Sequence, residues 1–159
     1  MITMLNTAQL RKQGFAPYRK MGITYARKMD KSFTVRIESG DILQGHAGDY
    51  ACVNPDDNSR WIVNRDIFDR TYAPDPINTI RIKMGTVQHQ LLLQGFKPYR
   101  KHQLTWARKL TLPMIVHTLE GDVYANAGDY LCVGIEGEQW PQPAARFEKL
   151  YERVVEPVG

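Results

Sequence analysis

The residues best suited to chemistry in this chain are basic and aromatic, and they come twice. Pro17-Tyr18-Arg19-Lys20 is answered by Pro98-Tyr99-Arg100-Lys101, and Thr24-Tyr25-Ala26-Arg27-Lys28 by Thr105-Trp106-Ala107-Arg108-Lys109. Arginine forks match the oxygens of a phosphate, and lysine adds a point charge. Tyrosine and tryptophan offer flat faces on which bases stack. The candidate ligand-binding set is therefore Tyr18, Arg19, Lys20, Tyr25, Arg27, Lys28, Tyr99, Arg100, Lys101, Trp106, Arg108 and Lys109. A doubled set suits a duplex, a symmetric partner, or a nucleotide held between the copies. The competing reading is a solvated strand whose charges keep a sheet edge from aggregating, since duplication copies such charges as faithfully as it copies a site. Binding requires the four arginines to be exposed and uncommitted to internal carboxylates.

Other chemistries find less support. A metal site needs clustered ligands, and His46, His89, His102 and His117 are scattered, none with a counterpart in the other copy. The serines are Ser32, Ser39 and Ser59 only, all in polar stretches of the first copy. No glycine-rich phosphate loop of the Walker or dinucleotide type is present. Asp49 and Asp129 each follow a glycine, Gly48 or Gly128, and an aspartate there fixes a tight turn by accepting backbone N–H bonds. Asp41 and Asp122 follow Gly40 and Gly121 in the same way. Nothing in the sequence brings these carboxylates together as an acid/base pair. No catalytic residue and no cofactor is expected.

The elements that must position the basic residues repeat with them. Gln13-Gly14-Phe15 matches Gln94-Gly95-Phe96, Ala47-Gly48-Asp49-Tyr50-Ala51-Cys52-Val53 matches Ala127-Gly128-Asp129-Tyr130-Leu131-Cys132-Val133, and Trp61, Phe68 and Tyr72 match Trp140, Phe147 and Tyr151. The spacing predicts a first repeat over 1–74, a linker over 75–86, and a second repeat over 87–159. A unit of roughly seventy to eighty residues buries only a marginal core, so two packed about a pseudo-two-fold axis, each shielding part of the other, is the expected arrangement. The class is mainly β, with barrel-like or roll-like repeats, each ending near a short helix.

Short helices are expected over 7–13, ended by Gly14, and over the more apolar matching segment 87–94. Pro17 and Pro98 confine the strands that follow to a sheet edge or an extended lead-in. Alternation puts Tyr25, Arg27 and Met29 on one face and Thr24, Ala26 and Lys28 on the other, so each Arg-Lys pair points two ways. Residues 33–38 and 114–119 alternate as half-buried strands, with turns at Ser39-Gly40-Asp41 and Gly121-Asp122. Residues 61–63 read as a short strand and 66–72 as helical turns. Prolines at Pro74 and Pro76 end regular structure, and the Ile80/Ile82 stripe suggests an extra strand bridging the repeats.

With 43% hydrophobic and 24% charged residues the composition is that of a soluble globular protein. No run approaches the roughly twenty apolar residues of a membrane span, and the first ten residues are too short and too polar for a secretory signal. Cys52 and Cys132, inside apolar strands, read as buried small hydrophobes in a reducing, cytoplasmic setting, with a bridge between repeats as the alternative. The net charge of +4 is far below that of a protein built mainly to coat nucleic acid. Lysine and arginine crowd the front of each repeat and acidic residues its back.

The second half, from Val116 through Gly121-Asp122, Ala127-Gly128-Asp129-Tyr130-Leu131 and Gly134-Ile135-Glu136-Gly137-Glu138-Gln139-Trp140-Pro141 to Phe147-Glu148-Lys149-Leu150-Tyr151, resembles the small phage and bacterial proteins named for their Pro-Gly-Asp-Tyr-Gly motif. About forty residues carry the resemblance, and the first repeat shares it more loosely. Ala47 and Ala127 stand in the proline place, Ala51 and Leu131 in that of the last glycine. The resemblance implies a small strand-rich domain in a phage or prophage setting and supplies no catalytic residue. The expectation is a non-catalytic, two-repeat binding module for a phosphate-bearing ligand, as a monomer with internal two-fold or as a homodimer. The alternatives are an inhibitor that binds an acidic surface on a host or defence protein, and, third, a nucleotide-directed enzyme.

Overall fold

In a computed structural model, residues 5–155 of the protein are described. In chain order they form α1 (Thr7–Lys12), β1 (Ala16–Lys20), β2 (Thr24–Lys28), β3 (Phe33–Arg36), β4 (Ile42–Gly45), β5 (Tyr50–Val53), β6 (Arg60–Val63), α2 (Arg65–Thr71), β7 (Tyr72–Pro74), α3 (Pro76–Ile80) and α4 (Val87–Leu93). Then follow β8 (Lys97–Lys101), β9 (Thr105–Lys109), β10 (Met114–Thr118), β11 (Gly121–Ala125), β12 (Tyr130–Val133), β13 (Gln139–Gln142), α5 (Ala144–Leu150) and β14 (Tyr151–Arg153). The protein is mainly β. Its strands form two five-stranded sheets and two two-stranded hairpins, and among the described residues no sheet closes into a barrel.

The chain divides into two compact units that cut across the sequence repeats. One is Gly22–His102; the other joins the stretch up to Met21 with the chain from Gln103 onward. The sheet of the continuous unit runs β6-β5-β2-β8-β7, and that of the discontinuous unit β13-β12-β9-β1-β14. Thus β1, from the first sequence copy, pairs with β9 of the second (Ala16↔Ala107, Pro17↔Trp106, Tyr18↔Thr105), and β8 pairs with β2 (Thr24↔Tyr99, Tyr25↔Pro98, Ala26↔Lys97). The expected division at residues 74 and 87 is replaced by crossings near residues 21 and 102.

The prolines do not mark edges. β1 lies between β9 and β14, and β8 between β2 and β7. The Pro17 carbonyl accepts from Val154 N–H and the Pro98 carbonyl from Asp75 N–H, each at 3.0 Å. In a strand a residue's N–H and C=O point to the same side, so the missing proline donor falls where the short pairing with β14 or β7 is already ending. The one bond each proline forfeits thus lies at the end of the ladder and not in its middle.

Local sequence sets the helix ends. Asn6 caps α1 by accepting from Gln9 N–H, and Thr86 caps α4 by accepting from His89 N–H, each at 3.1 Å. Both helices stop at a left-handed glycine, Gly14 (φ +89°) or Gly95 (φ +91°). The next N–H, of Phe15 or Phe96, returns to Leu10 or Leu91 at 2.9 Å, as in a Schellman closure. The second hairpin turns at Leu119-Glu120, because Gly121 and Asp122 already belong to β11. The expected bridging strand is instead α3. Asp75 caps it and Pro76 opens it, the residue order that starts a helix.

Each five-stranded sheet is packed on both faces. In the discontinuous unit one face buries Phe15, Trp106, Leu110, Val116, Ala125, Leu131 and Val133, and the other Ala107, Cys132, Phe147 and Tyr151. In the continuous unit the corresponding faces bury Tyr25, Ala51, Val53, Leu91 and Phe96, and Ala26, Cys52, Phe68 and Tyr72. Phe68 is the middle ring of a stack with Tyr50 (3.8 Å) and Tyr72 (4.5 Å), and Tyr99 meets it edge-on at 4.9 Å. Phe147 is held by Tyr130 (4.1 Å), Tyr151 (4.5 Å) and the edge of Tyr18 (4.8 Å).

Two predictions follow from this packing. Phe68→Ala and Phe147→Ala should each lose about 3–5 kcal/mol in denaturant unfolding; a loss near zero would remove the ring from the core. A fragment spanning 22–102 should melt cooperatively, whereas a fragment spanning 1–74 lacks β8 and should not. A cooperative melt of 1–74 would contradict the strand pairing described.

Candidate functional site

Alternation along β1, β2, β8 and β9 sends the two members of each Arg-Lys pair to opposite sides of their sheet. Arg19 and Arg108 share the face of Phe15 and Trp106; Lys109 shares the opposite face with Tyr18 and Phe147. Arg27 and Arg100 lie on the face of Tyr25 and Phe96. The basic front is therefore divided, and the two arginines of one unit do not converge. Arg108 stands opposite Phe15 by the register of β1 and β9, four residues from Arg19 along β1. At the strand rise that is about 13 Å. Arg27 and Arg100 are placed alike, since Arg27 stands opposite Phe96.

The twelve candidates have different surroundings. Tyr25 and Trp106 are core residues at 3% and 5% exposure, which corrects their reading as base-stacking faces. They sit on the middle strand of their sheet, where large rings are covered on the packed face. Tyr18 and Tyr99 are half-buried against Phe147 and Phe68. Arg108 is partly buried, with its guanidinium 5.3 Å from the Phe15 ring centre and its Nε without a hydrogen-bond partner among the described residues. Arg100 is committed: its Nε donates to Asp75 Oδ2 at 2.7 Å. Lys109 stands 3.9 Å from Glu148 and 6.0 Å from the Tyr130 ring centre. Lys20 and Lys101 are half-buried on the helix-covered face, opposite Tyr151 and Tyr72, and Lys28 is exposed opposite Tyr50. Arg19 and Arg27 are exposed and make no ion pair with a described residue. The Arg27 stem lies along Gly95, where a Cβ would come within 3.5 Å of it.

The duplicated turns are closed on themselves. Gly48 and Gly128 have φ of +94° and +93°, a conformation that side chains resist. Asp49 is buried; it accepts from His46 N–H at 2.9 Å and from Arg65 N–H at 3.3 Å. Asp129 accepts from Asn126 N–H at 2.9 Å. These carboxylates hold backbone.

Several partners lay outside the sequence reading. Tyr50 donates to Asp69 at 3.3 Å and Tyr130 to Glu148 at 3.1 Å. Burial first, and then the Asp69 charge, push the Tyr50 hydroxyl up to about 12, so it stays a hydrogen-bond donor at neutral pH. Burial raises Tyr151 as well. Asp75, read as linker, is buried and accepts from the backbone and side-chain amides of Asn78 at 3.1 and 2.8 Å in addition to Arg100. The Asp-Pro helix start was its only signal. Among the described residues, no three His, Cys, Asp or Glu side chains are grouped to hold a metal ion. No described helix is long and apolar enough to cross a membrane. An open hollow of about 410 Å³ is lined by Arg11, Pro17, Arg153, Val154 and Val155.

No protein-family model matches the chain, and neither a curated protein nor a solved structure does.

Asp75 gives a pH prediction. The Asn78 backbone N–H, then the Asn78 amide, then Arg100 hold its carboxyl below the ordinary carboxylate value. Its stabilising contribution is thus fully present above the unfolded-chain value near 3.9 and is lost as pH falls through the depressed folded value. Asp75→Asn should be less stable than the native chain in denaturant titrations at pH 7, and the gap should narrow toward pH 3. A gap independent of pH would show that the Asp75 charge contributes nothing.

Proposed function

We propose that the protein is a non-catalytic binding module of phage or prophage type, acting in the cytoplasm, which engages a phosphate-bearing ligand through Arg19 and Arg27. The observation that carries this reading is that these two arginines are exposed and free of ion pairs to described residues, on strands whose preceding residues are buried or half-buried. An uncommitted guanidinium on a rigid strand loses little freedom when it takes up two phosphate oxygens. The lysines on the opposite faces supply long-range attraction. The matched placing of matched sequences in the two sheets supports reading the chain as a tandem duplication, with one such arginine per unit.

A second reading has its own observation. Arg100 already receives a carboxylate from a protein segment, Asp75, so this strand position suits an acidic protein surface too. The partner would then be a host or defence protein.

Arg19→Ala and Arg27→Ala should each weaken binding of a labelled oligonucleotide or nucleotide by about 1.5–3 kcal/mol per charged hydrogen bond lost. The melting temperature should not move. Affinity of the native chain should fall linearly on a log–log plot against salt. Absence of binding to every nucleotide and nucleic acid at low salt would displace this reading in favour of the acidic protein partner.

A further inference from the structure

The two hairpins share one register, but their outward faces differ. In β3–β4 the pairs are Phe33↔Gly45, Thr34↔Gln44, Val35↔Leu43 and Arg36↔Ile42; in β10–β11 they are Met114↔Ala125, Ile115↔Tyr124, Val116↔Val123 and His117↔Asp122. Alternation buries Val116, Val123 and Ala125 and turns Ile115, His117, Asp122 and Tyr124 outward. The polar pair Thr34–Gln44 of the first hairpin thus gives way in the second to the apolar pair Ile115–Tyr124, exposed at 57% and 51%. Leu119, two residues beyond His117 at the turn, is 62% exposed. Side chains directly opposite on paired strands are close enough to touch. Ile115 and Tyr124 therefore form one patch, and clustered apolar exposure of this kind marks an interaction site.

Charge distinguishes the occupant. The outward face of the first hairpin carries the cation of Arg36, which suits an acidic partner and would repel its own copy. The second face has one acid, Asp122, and that acid already meets His117, Nδ1 to Oδ1 at 2.7 Å. It offers an anionic partner no arginine or lysine. We infer that the outer face of β10–β11 docks against the same face of a second copy of this chain, with Ile115 and Tyr124 at the centre of the contact. About a two-fold axis every contact is made twice, and cores of interfaces are enriched in tyrosine and depleted in charge. The net charge of +4 opposes self-association through the basic surfaces; this face, with its acid paired, avoids that repulsion. Two short strands offer less than the roughly 20–30 residues a side of a standard interface, so the dimer is weak and dissociates in the micromolar range. The inference stands apart from the phosphate reading and uses none of its arginines.

The test is sedimentation velocity of the full chain across the micromolar range, where a monomer–dimer equilibrium should appear. Ile115→Thr combined with Tyr124→Gln gives the second hairpin the outward pair of the first. It should raise the dissociation constant at least about tenfold, each loss counting twice across the axis, with the circular dichroism unchanged. Ile115→Lys and Ile115→Glu should each be monomeric alone, and an equimolar mixture of the two should dimerise. A native chain that stays monomeric throughout overturns the inference and leaves the face to a different protein. A dimer that survives Ile115→Thr with Tyr124→Gln overturns it by placing the contact elsewhere. So does a mixture no more associated than its components. Should a charged variant fail to fold, the Thr and Gln variant decides, since the matching hairpin carries those residues in the same register.

Discussion

The structure depends on backbone pairing between strands that sequence order keeps far apart. Ala16 stands opposite Ala107, Tyr18 opposite Arg153, and Tyr25 opposite Pro98. Neither five-stranded sheet is complete until a strand from the other sequence half has entered it. Both faces of the discontinuous unit draw on β1, because Phe15 joins the cluster around Trp106 while Tyr18 meets the edge of Phe147. Closing such long loops carries an entropic cost before any contact rewards it, and contacts of this range are associated with slow folding. The large aromatic cores, rather than local propensity, must supply the driving force.

That pairing also governs where charge goes. Because the Arg-Lys dipeptides sit in regular strands, the pleat divides them, and the register then holds the arginines of each unit at opposite ends of a strand pair. Charges that look like one clamp in sequence become separate points with different fates. One is paired with Asp75, one leans on Phe15, and two make no ion pair with a described residue. The lysines join the helix-covered face, where Lys109 and Glu148 form an exposed pair of the kind that contributes little to stability.

Features set by a few neighbouring residues were legible in the sequence. The strand alternation, the hairpins, the helix stop at Gly14 and the turns at Gly48 and Gly128 all depend on contacts within about six residues. The choice of strand partners was not, because Pro17-Tyr18-Arg19-Lys20 and its copy pair equally well by composition with either half. That single ambiguity moved the unit boundaries, placed the prolines inside the sheets and turned Tyr25 and Trp106 from surface aromatics into core. Burial of a ring in a central strand follows from what covers the sheet, and the local pattern around Trp106 contains no information about α1. Asp75 escaped for the same reason, since its partner Arg100 comes from the strand that joins from the other half.

The free thiols have a consequence of a different kind. Cys52 and Cys132 are reduced, 1% and 0% exposed, and lie beneath Phe68 and Phe147 respectively. Each unit thus carries its own sealed thiol, and a thiol reagent reaches it only through an opening of that unit's aromatic cluster. The rate of alkylation at each cysteine, resolved by peptide mass, would therefore clock the opening of one unit independently of the other. The chain comes with two internal stopwatches, one for each half of its architecture, without a single added label.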